Sequence, residues 1–103
     1  MIALSSRELG VVKDILHRHI SDREVWVFGS RAGKDHKKYS DLDLAIIGRE
    51  PIPPQVMAIL REDFSESKLP FKVDVVDWAE TSSEFRELIR RKYEVIQNPI
   101  SNS

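Results

Sequence analysis

Apolar positions along the chain follow two rhythms. Leu9, Val12, Ile15, Leu16 and Ile20 recur every three or four residues, which predicts a helix with one buried stripe. Ser5-Ser6-Arg7-Glu8 opens it as a capping box, with Ser5 as N-cap, and Ser21-Asp22 ends it. Val25 to Phe28 is a β-branched and aromatic run stopped by Gly29, the pattern of a short buried strand. Leu42 to Ile47 alternates instead, placing Leu42, Leu44 and Ile46 on one face and Asp41 and Asp43 on the other. Pro51, Pro53 and Pro54 interrupt regular structure until a helix begins at about Pro54, and Val56, Met57, Ile59, Leu60 and Phe64 carry it to about Ser65. A third strand over Phe71–Asp77 sets Phe71, Val73 and Val75 against Lys72, Asp74 and Val76. Thr81-Ser82-Ser83-Glu84 reads as a second capping box, opening a helix to about Lys92 whose basic end suits the macrodipole. Tyr93–Gln97 predicts a strand at a sheet edge, and Asn98–Ser103 a frayed tail. The order of elements predicts an α/β (α+β) fold, a small mixed sheet with helices packed on it, forming one domain over residues 1–103.

The candidate chemistry sits where two strands end and begin. Gly29 permits close backbone approach after the first strand, and Ser30, Arg31 and Ala32 suit the first turn of a short helix whose N–H groups face an anion. Asp41 and Asp43, about 7 Å apart along one strand face, repel each other at a partly dry site. A divalent cation removes that conflict, and magnesium is commonly held by one or two carboxylates completed by substrate phosphates. Asp74 lies mid-strand, where acids are disfavoured, and asks for the same partner. Asp77, the rival third acid, falls on the opposite strand face near the strand end, where a turn or cap role is ordinary. His17 and His19 are two apart and cannot form a helical metal pair; a solvated helix end is expected of them.

Composition narrows the setting. The 103 residues are too few for a second core, and 41% hydrophobic with 32% charged residues fits a soluble protein. No apolar run approaches a membrane span, and no basic region precedes an apolar one at the N-terminus, so neither membrane association nor secretion is expected. The absence of cysteine favours a cytoplasmic protein. A net charge of −1 gives no general attraction to nucleic acid, and no direct nucleic-acid binding is expected. Lys34, His36, Lys37 and Lys38 nevertheless make the central loop basic enough to steer a polyphosphate.

Residues 29 to 43 match G-S-x10-D-x-D, and on that spacing the chain resembles the polymerase-β-like nucleotidyltransferases, in particular their minimal branch, MNT. The resemblance runs from the first helix to the last. It implies that Gly29 and Ser30 bind nucleotide, and that Asp41, Asp43 and Asp74 form the catalytic set holding two Mg2+ ions; Arg31 beside them is a candidate for the nucleotide-binding set or, alternatively, a helix-surface ion-pair residue. Family members commonly place a basic residue and then Gly after Gly-Ser-Arg-Ala, whereas here Gly33 precedes Lys34. Larger relatives append a helical acceptor-holding domain not found in this sequence. Minimal members are paired with a small HEPN RNase toxin, so the resemblance implies an antitoxin that moves AMP from ATP to a tyrosine hydroxyl of that partner, in a hetero-oligomer. The alternative is a nucleotide-binding antitoxin that neutralises its partner by binding alone.

Overall fold

The computed structural model describes residues 2–33 and 40–100. Helix α1, Ser6–Ile20, carries the expected capping box: Ser5 Oγ accepts from the Glu8 N–H, and Glu8 Oε1 accepts from the Ser5 N–H at 2.9 Å. Strand β1, Val25–Phe28, runs into a 3-10 turn over Gly29–Ala32. Strand β2, Leu42–Ile46, helix α2, Pro54–Glu66, and strand β3, Val73–Asp77, follow; after a second 3-10 turn, Trp78–Glu80, come helix α3, Ser83–Arg91, and strand β4, Tyr93–Gln97.

The sheet order is β3-β2-β1-β4. β1 is antiparallel to both β2 and β4, while β2 and β3 are parallel because α2 crosses between them. The expected mixed sheet is therefore present, with β4 at its edge. One face is covered by α1 and α2: Val12, Ile15, Leu16, Met57, Leu60 and Phe64 meet Val25, Val27, Leu42, Leu44 and Ile46 in a single core. The other face is only partly covered. There α3 brings Ile89 over Ala45 and Trp78, with Trp26, Phe28, Ile47 and Val76 at the margin.

Several local expectations change. The N-cap of α3 is Ser82, whose hydroxyl accepts from the Phe85 N–H, while Thr81 Oγ1 donates to the Asp77 carbonyl at 2.7 Å. Either residue satisfies the sequence rule for a cap, and the preceding 3-10 turn fixes Thr81 elsewhere. His19 is half-buried and paired rather than free in solvent: its Nε2 lies 2.5 Å from Asp63 Oδ2 on α2, a pairing between residues far apart in sequence. Ile100 is tied back, its N–H donating to the Ser21 carbonyl at 2.9 Å. The basic loop of Lys34, His36, Lys37 and Lys38 lies outside the described residues.

Candidate active site

Parallel pairing of β2 with β3 sets Asp43 directly beside Asp74, and antiparallel pairing of β2 with β1 sets Asp43 beside Phe28, the last residue before Gly29. One row across the sheet thus reads Asp74, Asp43, Phe28, Tyr93. The next row inward, Val76, Ala45 and Trp26, is apolar and packs towards α3. The acids therefore occupy the end of a sheet face whose other end is a small hydrophobic core.

The electrostatics follow from that placement. The Asp43 carboxyl is pushed up from 3.8 to about 6, first by burial, then by the charges of Asp74 and Asp41. Asp41, just ahead of β2, is exposed, and so is Asp74, which has a long ion pair with Lys72 at 3.5 Å. A cavity of about 790 Å³ borders Asp74 along β3, lined also by Arg61, Phe64 and Phe71.

Gly29 is adapted to this acid. Its φ is +74°, a conformation open to glycine, and a Cβ added there would stand 2.7 Å from Asp43 Oδ2. Gly29 thus lets the 3-10 turn that holds Ser30 come against the half-buried Asp43 carboxylate. Asp77 is occupied at the other end of β3, where its carboxylate accepts from the N–H groups of Ile52 at 2.8 Å and Ala79 at 3.2 Å. That capping role separates it from Asp74.

Arg31 has a position that sequence reasoning missed. Open in the sequence between a phosphate contact and a helix-surface ion pair, it is buried: its Nε donates to the Ser40 carbonyl at 2.9 Å, and its Nη1 to the Ala3 carbonyl at 2.8 Å. The guanidinium also lies 4.1 Å from the Phe71 ring centre. Arg31 is a clamp beneath the turn, joining the stretch before α1 to the segment entering β2. No local pattern distinguishes an arginine that faces a ligand from one that faces carbonyls.

Fit to a divalent cation can be judged from the donors. Among the described residues no three acidic or histidine side chains form a ready-made metal cage. Two or three mutually repelling carboxylates, one of them partly desolvated, nonetheless suit magnesium, which takes few protein ligands and fills its shell with water and phosphate oxygens. Among the described residues, too, no helix is long and apolar enough to cross a membrane.

A mixed four-stranded sheet carrying a Gly-Ser turn against acids on adjacent strands is the framework of a nucleotidyl-transferring domain. The chain belongs to the polymerase beta nucleotidyltransferase family, which matches residues 11–99. It is 54% identical over 94 residues to the probable protein adenylyltransferase MntA of Haemophilus influenzae, a match spanning 91% of this chain and 82% of that protein. The same fold is found in the crystal structure of a toxin–antitoxin with AMP-PNP, at a TM-score of 0.71 and 19% identity, covering 85% of this chain and 71% of the other. It recurs in the structure of the tri-AMPylated Shewanella oneidensis HEPN toxin with its MNT antitoxin, at a TM-score of 0.65 and 18% identity, covering 85% and 67%. The family expectation drawn from Gly29, Ser30, Asp41 and Asp43 therefore holds.

Proposed function

We propose that this chain is a magnesium-dependent adenylyltransferase that moves AMP from ATP to a tyrosine hydroxyl of a HEPN RNase toxin, and so acts as its antitoxin. The observation that carries the reading is the Asp43–Asp74 pairing beside Gly29, which gathers carboxylates at the start of the Gly-Ser turn. The 54% identity to a probable protein adenylyltransferase supports the reaction class, and the toxin–antitoxin assemblies that share the fold support the partner.

Asp41 and Asp43 would hold both ions, and Asp74 the ion on the acceptor side. Bound there, magnesium supplies charge neutralisation and orientation of the attacking and departing oxygens. Ser30 and the N–H groups after Gly29 fix the phosphate chain, while Arg31 holds the turn from beneath. Asp74, exposed and bordering the cavity along β3, accepts the hydroxyl proton of an incoming side chain. The hydroxyl oxygen bonds to the α-phosphorus as the α–β phosphoanhydride bond breaks, and pyrophosphate leaves.

Incubating the chain with labelled ATP, magnesium and its HEPN partner tests this directly. Label is expected on the partner with the wild type and not with Asp41→Ala/Asp43→Ala. Absence of transfer by the wild type, together with full toxin neutralisation by the double variant in cells, would establish the binding-only alternative instead.

A further inference from the structure

Gly33 closes the turn that Gly29 opens, and the space of its missing side chain is filled from another element. A Cβ on Gly33 would stand 2.4 Å from Lys92 Cε and 2.6 Å from Lys92 Nζ, so the ammonium end of that lysine lies on the glycine backbone. The backbone on both sides is fixed. Lys92 is the C-cap of α3, its N–H donating to the Ile89 carbonyl at 3.3 Å, and the next residue, Tyr93, pairs with Phe28 immediately before Gly29. Lys92 is exposed, and among the described residues its ammonium has no ion pair or hydrogen bond. A lysine held on the surface gains most by reaching into water, so one folded back over a glycine leaves a positioned cation with donor capacity to spare.

The 3-10 turn is thereby bracketed by opposite charges: the Asp43 carboxylate against Gly29 at its start, and the Lys92 ammonium against Gly33 at its end. The geometry points to Lys92 as a phosphate-binding residue of the nucleotide site, its ammonium meeting the terminal phosphates of the bound triphosphate. This rests on the nucleotidyl-transfer reading above and adds a residue to it. The acids would hold the cations on their side of the turn, and the lysine neutralises the far end of the phosphate chain. When the α–β bond breaks, the negative charge that develops on pyrophosphate falls within reach of the Lys92 ammonium. Lys92 is a compact point charge, suited to phosphate oxygens of varying orientation.

Calorimetric titration of AMP, AMP-PNP and inorganic tripolyphosphate, with magnesium present, tests the assignment on the wild type and three variants. Lys92→Met is expected to weaken AMP-PNP and tripolyphosphate about tenfold, the loss of one charge-assisted contact, and to leave AMP unchanged. Lys92→Arg should restore most of the affinity. Gly33→Ala keeps the charge but displaces it, and should weaken the same two ligands. Thermal melts of the two Lys92 variants should match the wild type, since only an exposed side-chain end is altered. Equal AMP-PNP affinity in wild type and Lys92→Met overturns the role of Lys92 and leaves the reaction class standing. A wild type that binds neither AMP-PNP nor tripolyphosphate overturns both.

Discussion

Asp43 is the residue at which folding and chemistry conflict. Its carboxyl titrates at about 6 in the fold against 3.8 when free, so between those values the native state holds a proton that the unfolded chain has lost. The contribution of this group to metal-free stability is therefore best below about pH 4 and declines as pH rises through about 6. Asp43→Asn is expected to raise the melting temperature of the metal-free protein at pH 7, and the gap from wild type should close as pH is lowered to 4; thermal denaturation across that range checks it. Magnesium should stabilise the wild type at pH 7 and have little effect on the variant. The same substitution should abolish transfer. Gly29→Ala acts on the same contact from the other side, adding a Cβ 2.7 Å from Asp43 Oδ2 at a φ of +74°. It should cost about 1–3 kcal/mol in urea denaturation and reduce transfer at least tenfold, because the turn must withdraw from the acid.

At the scale of elements, the important joints lie between segments that are distant in sequence. Arg31 connects three of them: the stretch ahead of α1 through Ala3, the segment entering β2 through Ser40, and Phe71 ahead of β3. Arg31→Met removes buried donors while the carbonyls remain, and should destabilise by about 2–4 kcal/mol in denaturant titration. Lys at this position should not restore stability, since a single ammonium cannot reproduce the planar fork. Asp77 does comparable work at the far end of β3, where it caps the 3-10 turn and receives the Ile52 N–H. Two aspartates three residues apart on one strand thus divide into one placed at the site and one that shapes a turn. The alternation of β3 made that division legible from the sequence, while the partner of each had to come from the packing.

For the molecule as a whole, the sheet is a partition with a thick core on one side and a thin one on the other. Leu44 is fully buried under α1 and α2, so Leu44→Ala should cost about 2–5 kcal/mol, whereas Leu88→Ala, 54% exposed on α3, should change stability by less than about 0.5 kcal/mol. Urea titration of the pair measures the contrast. The thinly covered face is the one that leaves Asp43 and Asp74 accessible at its end. Stability is thus concentrated on the side facing away from the acids, and removing charge at the site should not unfold the chain.

Local codes determined much of this in advance. The period of three to four in α1 and α2, the alternation in β2 and β3, the capping box at Ser5 and the spacing from Gly29 to Asp43 each depend on residues close in sequence, whose preferences survive folding because the core requires the same faces that the pattern supplies. The pairing of Asp43 with Asp74, the burial of Arg31, the His19–Asp63 contact and the seat of Lys92 on Gly33 were settled only by tertiary structure. Each joins groups whose separation in space depends on strand order and on the α2 crossover. A side chain of either charge satisfies its local propensity equally well facing water, a carbonyl or a ligand, so nothing short of the packed sheet could choose among them.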